Sequence, residues 1–270
     1  MSESGSLLIV LSDPRLMAHA ASDCPAWLWS ADATRVLWAN PTAAAIFDAP
    51  SPAALAGHII DPKGSAALQI ARLAGTLPHG APPRLERLRG FGGRFGGALM
   101  CACSRIMLAD HTPAILVVAT EPAGPKLTLA GQAKRLLADC DQPLALFAAN
   151  GALLHATPAA QARIGQAKTL EALGVSLGGD ALAAGHAAGE SAVGKILLAR
   201  LGAEASTMLL ATFAPRPEAS QPAAAPPAAA PVASAPPPPA PPVEAAPPPA
   251  SQEREANRSE CCQQKNPVDK

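Results

Sequence analysis

The residues of this chain that could do chemistry are scattered, and few stand at a spacing that chemistry requires. Cys101 and Cys103 lie two positions apart in a strand-like segment, so their side chains share one face. As metal ligands they would need further Cys or His partners, and no partner pair is evident in the sequence. A buried pair of thiols is therefore the favoured interpretation, and no metal site is predicted.

The histidines and glycines also lack the surroundings of a catalytic centre. None of the six histidines is followed by the acidic residue that a phosphoacceptor histidine needs, and His155 precedes Ala-Thr-Pro, which belongs to a helix start. No P-loop pattern is present. The glycine-rich stretch Gly90 to Gly97 lies between two strands, which predicts a flexible hairpin loop. We expect the chain not to be an enzyme; a small-molecule enzyme with an unrecognised site stays the alternative.

Composition excludes further classes of protein. The 270 residues carry a formal net charge of +0 and contain no tyrosine, and no dense basic patch marks a nucleic-acid binder. The longest apolar runs, Leu7 to Leu11 and Ala114 to Ala119, are too short to span a bilayer. The cysteines form no disulfide framework. We expect a cytoplasmic protein that binds neither nucleic acid nor membrane.

One sequence pattern, in which a strand-like segment leads into a helix, occurs twice in the chain. Residues 36–47 read VLWANPTAAAIF, and residues 153–164 read LLHATPAAQARI. Asn40 and Thr157 are predicted helix caps, because their side chains can accept from the N–H groups of the first turn, and proline loses nothing at the first helical position. A turn segment precedes each junction, SADAT in one case and AANGA in the other, which predicts a β-hairpin. The agreement indicates two copies of one unit.

Strand-like segments follow each predicted helical region. The predicted fold class is α+β, with two five-stranded antiparallel sheets and short helices, the second copy being degenerate. In that second copy only two downstream strands are evident, so it is expected to be one strand shorter. The segments are Arg84 to Phe91, Ala98 to Leu108 and Pro113 to Thr120 in the first unit, and Lys195 to Gly202 and Ser206 to Ala214 in the second.

The segments WLWSADATRVLWANPTAAAIF and ALFAANGALLHATPAAQARI resemble the opening of a PAS domain. The span from Cys24 to Ala214 resembles the tandem N-terminal PAS region of bacterial multi-PAS sensor histidine kinases, although Thr157 replaces the usual Asn. The resemblance implies a sensory or interaction module of two-component signalling. It also implies partners, either a homodimer through the PAS units or the connecting helix, or a signalling protein. A structural dimerisation scaffold without a ligand is the alternative.

Candidate pocket residues follow from this resemblance. Trp27 and Trp29 share one face of the first strand, and Trp38 lies on the paired strand. Together with Cys101 and Cys103 they are candidates for lining a small ligand pocket, although packing of a tyrosine-free core is the favoured alternative. Some PAS domains hold haem or flavin, but no motif for haem, flavin or metal is present, so the cofactor stays unknown.

The predicted organisation has six parts. The connecting segment contains a helix from Thr128 to Cys140. It is either a rigid connector packed on a neighbouring domain or a signalling helix that passes strain between the two units or pairs with a second chain. Because a long spacer normally separates two folded parts, we expect the chain to be truncated or frame-shifted relative to a longer relative. The parts are an N-terminal segment with a helix (1–21), PAS-like domain 1 (22–121), the connecting helix (122–141), a degenerate PAS-like domain 2 (142–214), a disordered Pro/Ala-rich linker (215–250) and a disordered polar tail (251–270).

Overall fold

Ten strands form two antiparallel sheets with the same strand order in the part of the chain that the structure describes. This structure is a computed structural model and describes residues 12–58, 60–91 and 97–214. The first sheet has the order β2-β1-β5-β4-β3, and the second has the order β7-β6-β10-β9-β8. The strands are β1 Ala26–Ser30, β2 Val36–Ala39, β3 Arg84–Arg89, β4 Ala98–Met107, β5 Pro113–Ala119, β6 Leu144–Ala148, β7 Leu153–Ala156, β8 His186–Ser191, β9 Gly194–Leu201 and β10 Met208–Phe213.

The predictions for the linker (215–250), the tail (251–270), the run Leu7 to Leu11 and the centre of the glycine-rich loop lie outside the described residues. Within the described ranges, the predicted fold class is confirmed, with α+β architecture and short helices beside both sheets. No helix in these ranges has the length and apolar character needed to cross a membrane.

The expectation that the second unit is one strand short is wrong. Its missing strand is β8, which reads HAAGES and pairs with β9 from His186 opposite Ala199 to Ser191 opposite Gly194. The segment contains no β-branched or aromatic residue, so its sequence gives no strand signal. Strand β8 is extended because its backbone hydrogen-bonds to β9, and this pairing outweighs the low strand propensity of its residues.

Seven α-helices accompany the sheets in the described residues, and most begin at a polar cap. Asp13, Asn40, Ser51, Thr128 and Thr157 each accept a hydrogen bond from a first-turn N–H group. Proline follows directly in four of these five starts, where its missing N–H costs nothing. The helices are α1 Pro14–Met17, α2 Pro41–Ile46, α3 Pro52–Ala56, α4 Ser65–Thr76, α5 Leu129–Leu136, α6 Pro158–Ile164 and α7 Gly178–Ala184.

Three apolar clusters form the interior. One lies between the first sheet and helices α2 to α4, and includes Trp27 and Ile70. A second occupies the corresponding place in the second unit, around Phe147. The third joins the opposite faces of both sheets, since Leu116 and Leu210 both belong to it, together with residues of α1 and α5. The two sheets therefore share a core within one compact unit.

Candidate functional site

Asn40 lies at the junction of β2 and α2 and holds several backbone segments together. The side chain is fully buried. Its Oδ1 accepts from the N–H of Ala43 at 2.8 Å, which caps α2, and from the N–H of Ala26 at 3.2 Å. Its amide Nδ2 lies within hydrogen-bond distance of the carbonyl oxygens of His19 (3.0 Å) and Cys24 (2.9 Å), as well as that of Ser22. One amide thus fixes the start of a helix, the start of β1 and the chain before it.

Thr157 makes the matching contacts in the second unit. Its Oγ1 accepts from the N–H of Ala160 at 3.3 Å and from the N–H of Leu144 at 3.1 Å, and donates to the carbonyl of Gln142 at 2.7 Å. Both hairpins also carry an irregularity at the same place, between Leu28 and Trp29 and between Leu146 and Phe147. The two junctions are therefore equivalent in their hydrogen bonding, which explains why the chain repeats the same sequence pattern.

The first unit contains an aromatic cluster under its sheet. The ring of Phe91 lies 5.1 Å from that of Trp27 and 5.8 Å from that of Trp29, measured between centroids, and Phe47 meets Trp27 edge-on. Both indoles are fully buried, and neither Nε1–H has a hydrogen-bond partner among the described residues. An unpaired buried donor costs about 1–3 kcal/mol. The cluster therefore presents two donors that an acceptor atom would satisfy.

Trp38 is separate from this cluster. It lies opposite Leu28 in the β1–β2 pair, so its ring enters the core shared by the two sheets rather than the core that holds Trp27. The corresponding position of the second hairpin, opposite Leu146, holds His155. The sequence grouping of the three tryptophans is corrected accordingly: two face the same interior and the third faces away from it.

Cys101 and Cys103 face the same interior as Trp27 and Trp29. Both side chains are fully buried. Burial raises the pKa of the Cys101 thiol to about 12, and burial together with the neighbouring Cys101 raises that of Cys103 to about 12. At neutral pH both are protonated thiols, which are poor nucleophiles and poor metal ligands. No group of three or more metal-binding side chains is found in the searched, described part of the chain.

A small cavity of about 180 Å³ lies beside the aromatic cluster. Phe91 is both a wall of the cavity and a neighbour of the two indoles. Larger clefts of about 670 and 440 Å³ lie along the second sheet, but neither is lined by a residue of the aromatic cluster. The small cavity is therefore the better candidate for a ligand site. Its walls are Ile46, Phe91, Gly97, Leu99, Ala123 and Gly124.

The cavity wall is continuous with the connecting segment. Gly124 has φ +85 and stands so close to Ile46 that an added Cβ would lie 2.5 Å from Ile46 Cγ1. Four residues later Thr128 caps α5 through the N–H of Gly131 at 3.1 Å. The chain that closes the cavity therefore leads directly into the connecting helix.

Helix α5 is held by both units. Arg135 donates to the carbonyl of Ala49 at 2.9 Å, and Gln132 donates to Asp23 at 2.7 Å. Ser51, the cap of α3, bonds the carboxylate of Asp139 just beyond α5. On its apolar side Leu136 enters the core shared by the two sheets. Because the apolar face of α5 is covered within the same chain, these contacts argue against its pairing with a second chain.

Sequence reasoning missed a second equivalent pair, Arg105 and Arg200. Each arginine lies on the fourth strand of its sheet and donates to a carbonyl near the end of the helix that precedes the third strand. Arg105 reaches Ala74 of α4 at 2.9 Å, and Arg200 reaches Leu182 of α7 at 2.7 Å. An isolated arginine in a strand carries no local signal of such a role. The cavity residues Ile46, Leu99 and Gly124 were missed for the same reason.

No family model matches the chain, and no curated protein matches it. Among solved structures, an extracellular ligand binding receptor from Desulfohalobium retbaense shares 12% identity over 70% of this chain and 30% of its own length, with a TM-score of 0.23. The E. coli DhaR(N)-DhaL complex shares 12% identity over 79% of this chain and 87% of that chain, with a TM-score of 0.27.

These TM-scores are low, so the fold assignment rests on the strand order of the chain itself. Two five-stranded antiparallel sheets, each opened by a hairpin and with its helices between the second and third strands, fit a PAS-like fold. The class that fold and site define is thus an α+β protein with two PAS-like units.

Proposed function

We propose that the chain is a sensory module in which the first PAS-like unit binds a small ligand and the connecting helix passes the change to the second unit. The observation that carries this proposal is the cavity beside the aromatic cluster, whose wall at Gly124 continues into α5. The proposed ligand is small and mostly apolar, because apolar side chains and glycines form the cavity walls. We propose that it carries one acceptor oxygen for an unpaired indole N–H, since Trp27 and Trp29 pack against the cavity wall Phe91.

The proposed mechanism uses contacts already present around α2. Ile46 closes the cavity at the end of α2, and Ala49, three residues later, accepts a hydrogen bond from Arg135 of α5. A ligand that moves Ile46 would act on α5 through this turn and through Gly124. It can do so only if its affinity differs between two positions of the helix.

The second unit is proposed as the receiver of the signal rather than a second sensor. By strand pairing, Ala145 stands at the position of Trp27, and Phe147 at that of Trp29. The second unit also contributes none of the unpaired buried side-chain groups found in the described chain. Its core is therefore satisfied without a ligand, as a receiver requires.

We further propose that the module is not catalytic and serves two-component signalling, as the sequence resemblance implies. The protonated thiols of Cys101 and Cys103 and the scattered histidines support a non-catalytic role. Incubation of the full chain with labelled ATP tests this point, and incorporation of phosphate would refute it. Sedimentation over a range of concentrations tests the homodimer that the resemblance implies.

The binding proposal is tested by thermal unfolding of the full chain with two probes of similar shape. Acetophenone carries an acceptor oxygen, and α-methylstyrene carries a methylene group in its place. A ligand that binds only the folded state stabilises it by RT ln(1 + L/Kd), where L is the free ligand concentration. Both probes should therefore raise the unfolding temperature, and acetophenone should raise it more at the same concentration.

Two matched variants locate the effect. Ala123→Phe fills the small cavity and should abolish the stabilisation by both probes. Ala203→Phe makes the same change in the larger cleft along the second sheet and should leave the stabilisation by both probes unchanged. If neither probe stabilises the wild type, or if Ala123→Phe responds as the wild type does, the alternative of a scaffold without a ligand is favoured instead.

A further inference from the structure

The edge strand β3 of the first sheet carries a concentration of positive charge. It reads RLERLR, and Arg84, Arg87 and Arg89 are exposed. Its one acidic residue, Glu86, already bonds two guanidinium groups, that of Arg72 at 2.9 Å and that of Arg84 at 2.8 Å. Arg87 and Arg89 have no acidic partner in the part of the chain that the structure describes. The strand therefore presents positive charge that its own neighbours leave uncompensated.

The backbone of β3 is open along the side that faces away from β4. Arg89 directs both its N–H and its carbonyl to the side-chain amide of Gln69, at 3.0 and 2.7 Å. Backbone groups alternate in direction along a strand, so those of Leu85 and Arg87 point to the same side. No described residue outside the sheet bonds to them. An extended chain can therefore pair with this edge.

Apolar side chains accompany the open edge. Leu85 is 64% exposed and lies opposite Ala102, while Met100 is 47% exposed and lies opposite Arg87. Leu85, Arg87 and Met100 therefore share one face of the sheet. A strand added beside β3 would gain contact with the exposed side chain of Leu85 and with arginine on the same face.

The second unit provides an internal comparison for the charge on this edge. Its corresponding edge strand is β8, where pairing places Glu190 at the position of Arg87 and Ala188 at that of Leu85. Charged side chains often protect sheet edges from unwanted pairing. Since β8 forms the same edge with no arginine or lysine, a run of arginines is not a requirement of this fold. The arginines of β3 are therefore a feature of the first unit alone.

We propose that the edge of β3 is a strand-addition site for an extended acidic segment of a partner protein. Backbone groups of Leu85 and Arg87 would pair with the segment, and Arg87 and Arg89 would bind its carboxylates. A second copy of this chain is a poorer occupant, because pairing two β3 strands would bring like charges together across the ladder. The proposal does not depend on a ligand in the cavity.

The experiment uses the full chain and a fluorescent heptapeptide in which glutamate alternates with threonine or valine. Its control replaces every glutamate by glutamine. Anisotropy titration should show that the acidic peptide binds about tenfold more tightly than the control, with a difference that shrinks as salt is raised.

Variants of the chain separate backbone pairing from charge. Arg87→Pro removes an N–H that the sheet does not use, so it should abolish binding while the circular dichroism spectrum is preserved. Arg87→Ser combined with Arg89→Ser should weaken binding about tenfold. Glu190→Pro makes the matched change on β8 and should leave affinity unchanged.

Three results would overturn the proposal. One is equal affinity for the acidic and glutamine peptides, and another is unchanged binding by the Arg87→Pro variant. The third is a concentration-dependent dimer that Arg87→Pro dissociates in sedimentation, which would assign the edge to a second copy of the chain.

Discussion

Replacement of Asn40 by alanine should destabilise the first unit more than any matched change at Thr157 destabilises the second. Asn40→Ala leaves the N–H groups of Ala26 and Ala43 without their buried acceptor and removes the donors to the carbonyls before β1. Loss of the helix cap costs about 1 kcal/mol, and the further unpaired buried groups raise the total to about 3–5 kcal/mol. Thr157→Val removes one hydroxyl and should cost about 2 kcal/mol.

Urea unfolding ranks the two effects. The two units share a core, so we expect them to unfold together. Tryptophan fluorescence follows this common transition through the three indoles of the first unit. With an m-value of about 2–3 kcal/mol per molar urea, Asn40→Ala should lower the fluorescence midpoint by about 1.5 M. Thr157→Ser keeps the hydroxyl and serves as control. A larger fluorescence shift from Thr157→Val than from Asn40→Ala would refute the assigned role of Asn40.

Three further predictions follow from other contacts. Burial raises the pKa of Cys101 and Cys103 to about 12, so these thiols stay protonated in the folded protein and lose their protons on unfolding at high pH. The free energy of unfolding should therefore fall from about pH 9 upwards. Urea midpoints measured below and above pH 9 should differ less when both cysteines are replaced by alanine. Arg105→Ala should cost about 1–3 kcal/mol and the exposed Arg200→Ala less than about 1 kcal/mol, and thermal unfolding that ranks them in reverse would contradict this. Gly124→Ala should destabilise the fold by about 1–3 kcal/mol, because Gly124 has a positive φ and the added Cβ would clash with Ile46. Gly75→Ala in α4 should stabilise the fold, because the added Cβ meets nothing within 4 Å.

The parts of the fold that sequence predicts well are those with local causes. A polar residue and a proline followed by an alanine-rich run indicate a helix start, so Asn40 and Thr157 were recognisable as caps. The hairpin turns are equally local, since Asn150-Gly151 precedes β7 and Gly151 adopts φ +83. Repetition of these signals in the same order also reveals the duplication, because each signal depends only on neighbouring residues.

The parts that sequence predicts poorly depend on distant partners. Strand β8 is extended because β9 pairs with it, and its own residues do not favour a strand. Trp38 faces away from Trp27 because it pairs with Leu28, beside an irregularity in the hairpin, and that register is invisible in the sequence. The cavity unites Ile46, Leu99 and Gly124 from separate segments, so no spacing pattern could have predicted it.

Hydrogen exchange of α5 tests the central claim most directly, namely that the cavity of the first unit is coupled to the connecting helix. Amide exchange of Leu129–Leu136 would be measured in the full chain with and without acetophenone, and in Ala123→Phe as control. The account predicts a ligand-dependent change in the protection of these amides in the wild type and none in Ala123→Phe. Binding of acetophenone that leaves the exchange of α5 unchanged would contradict it.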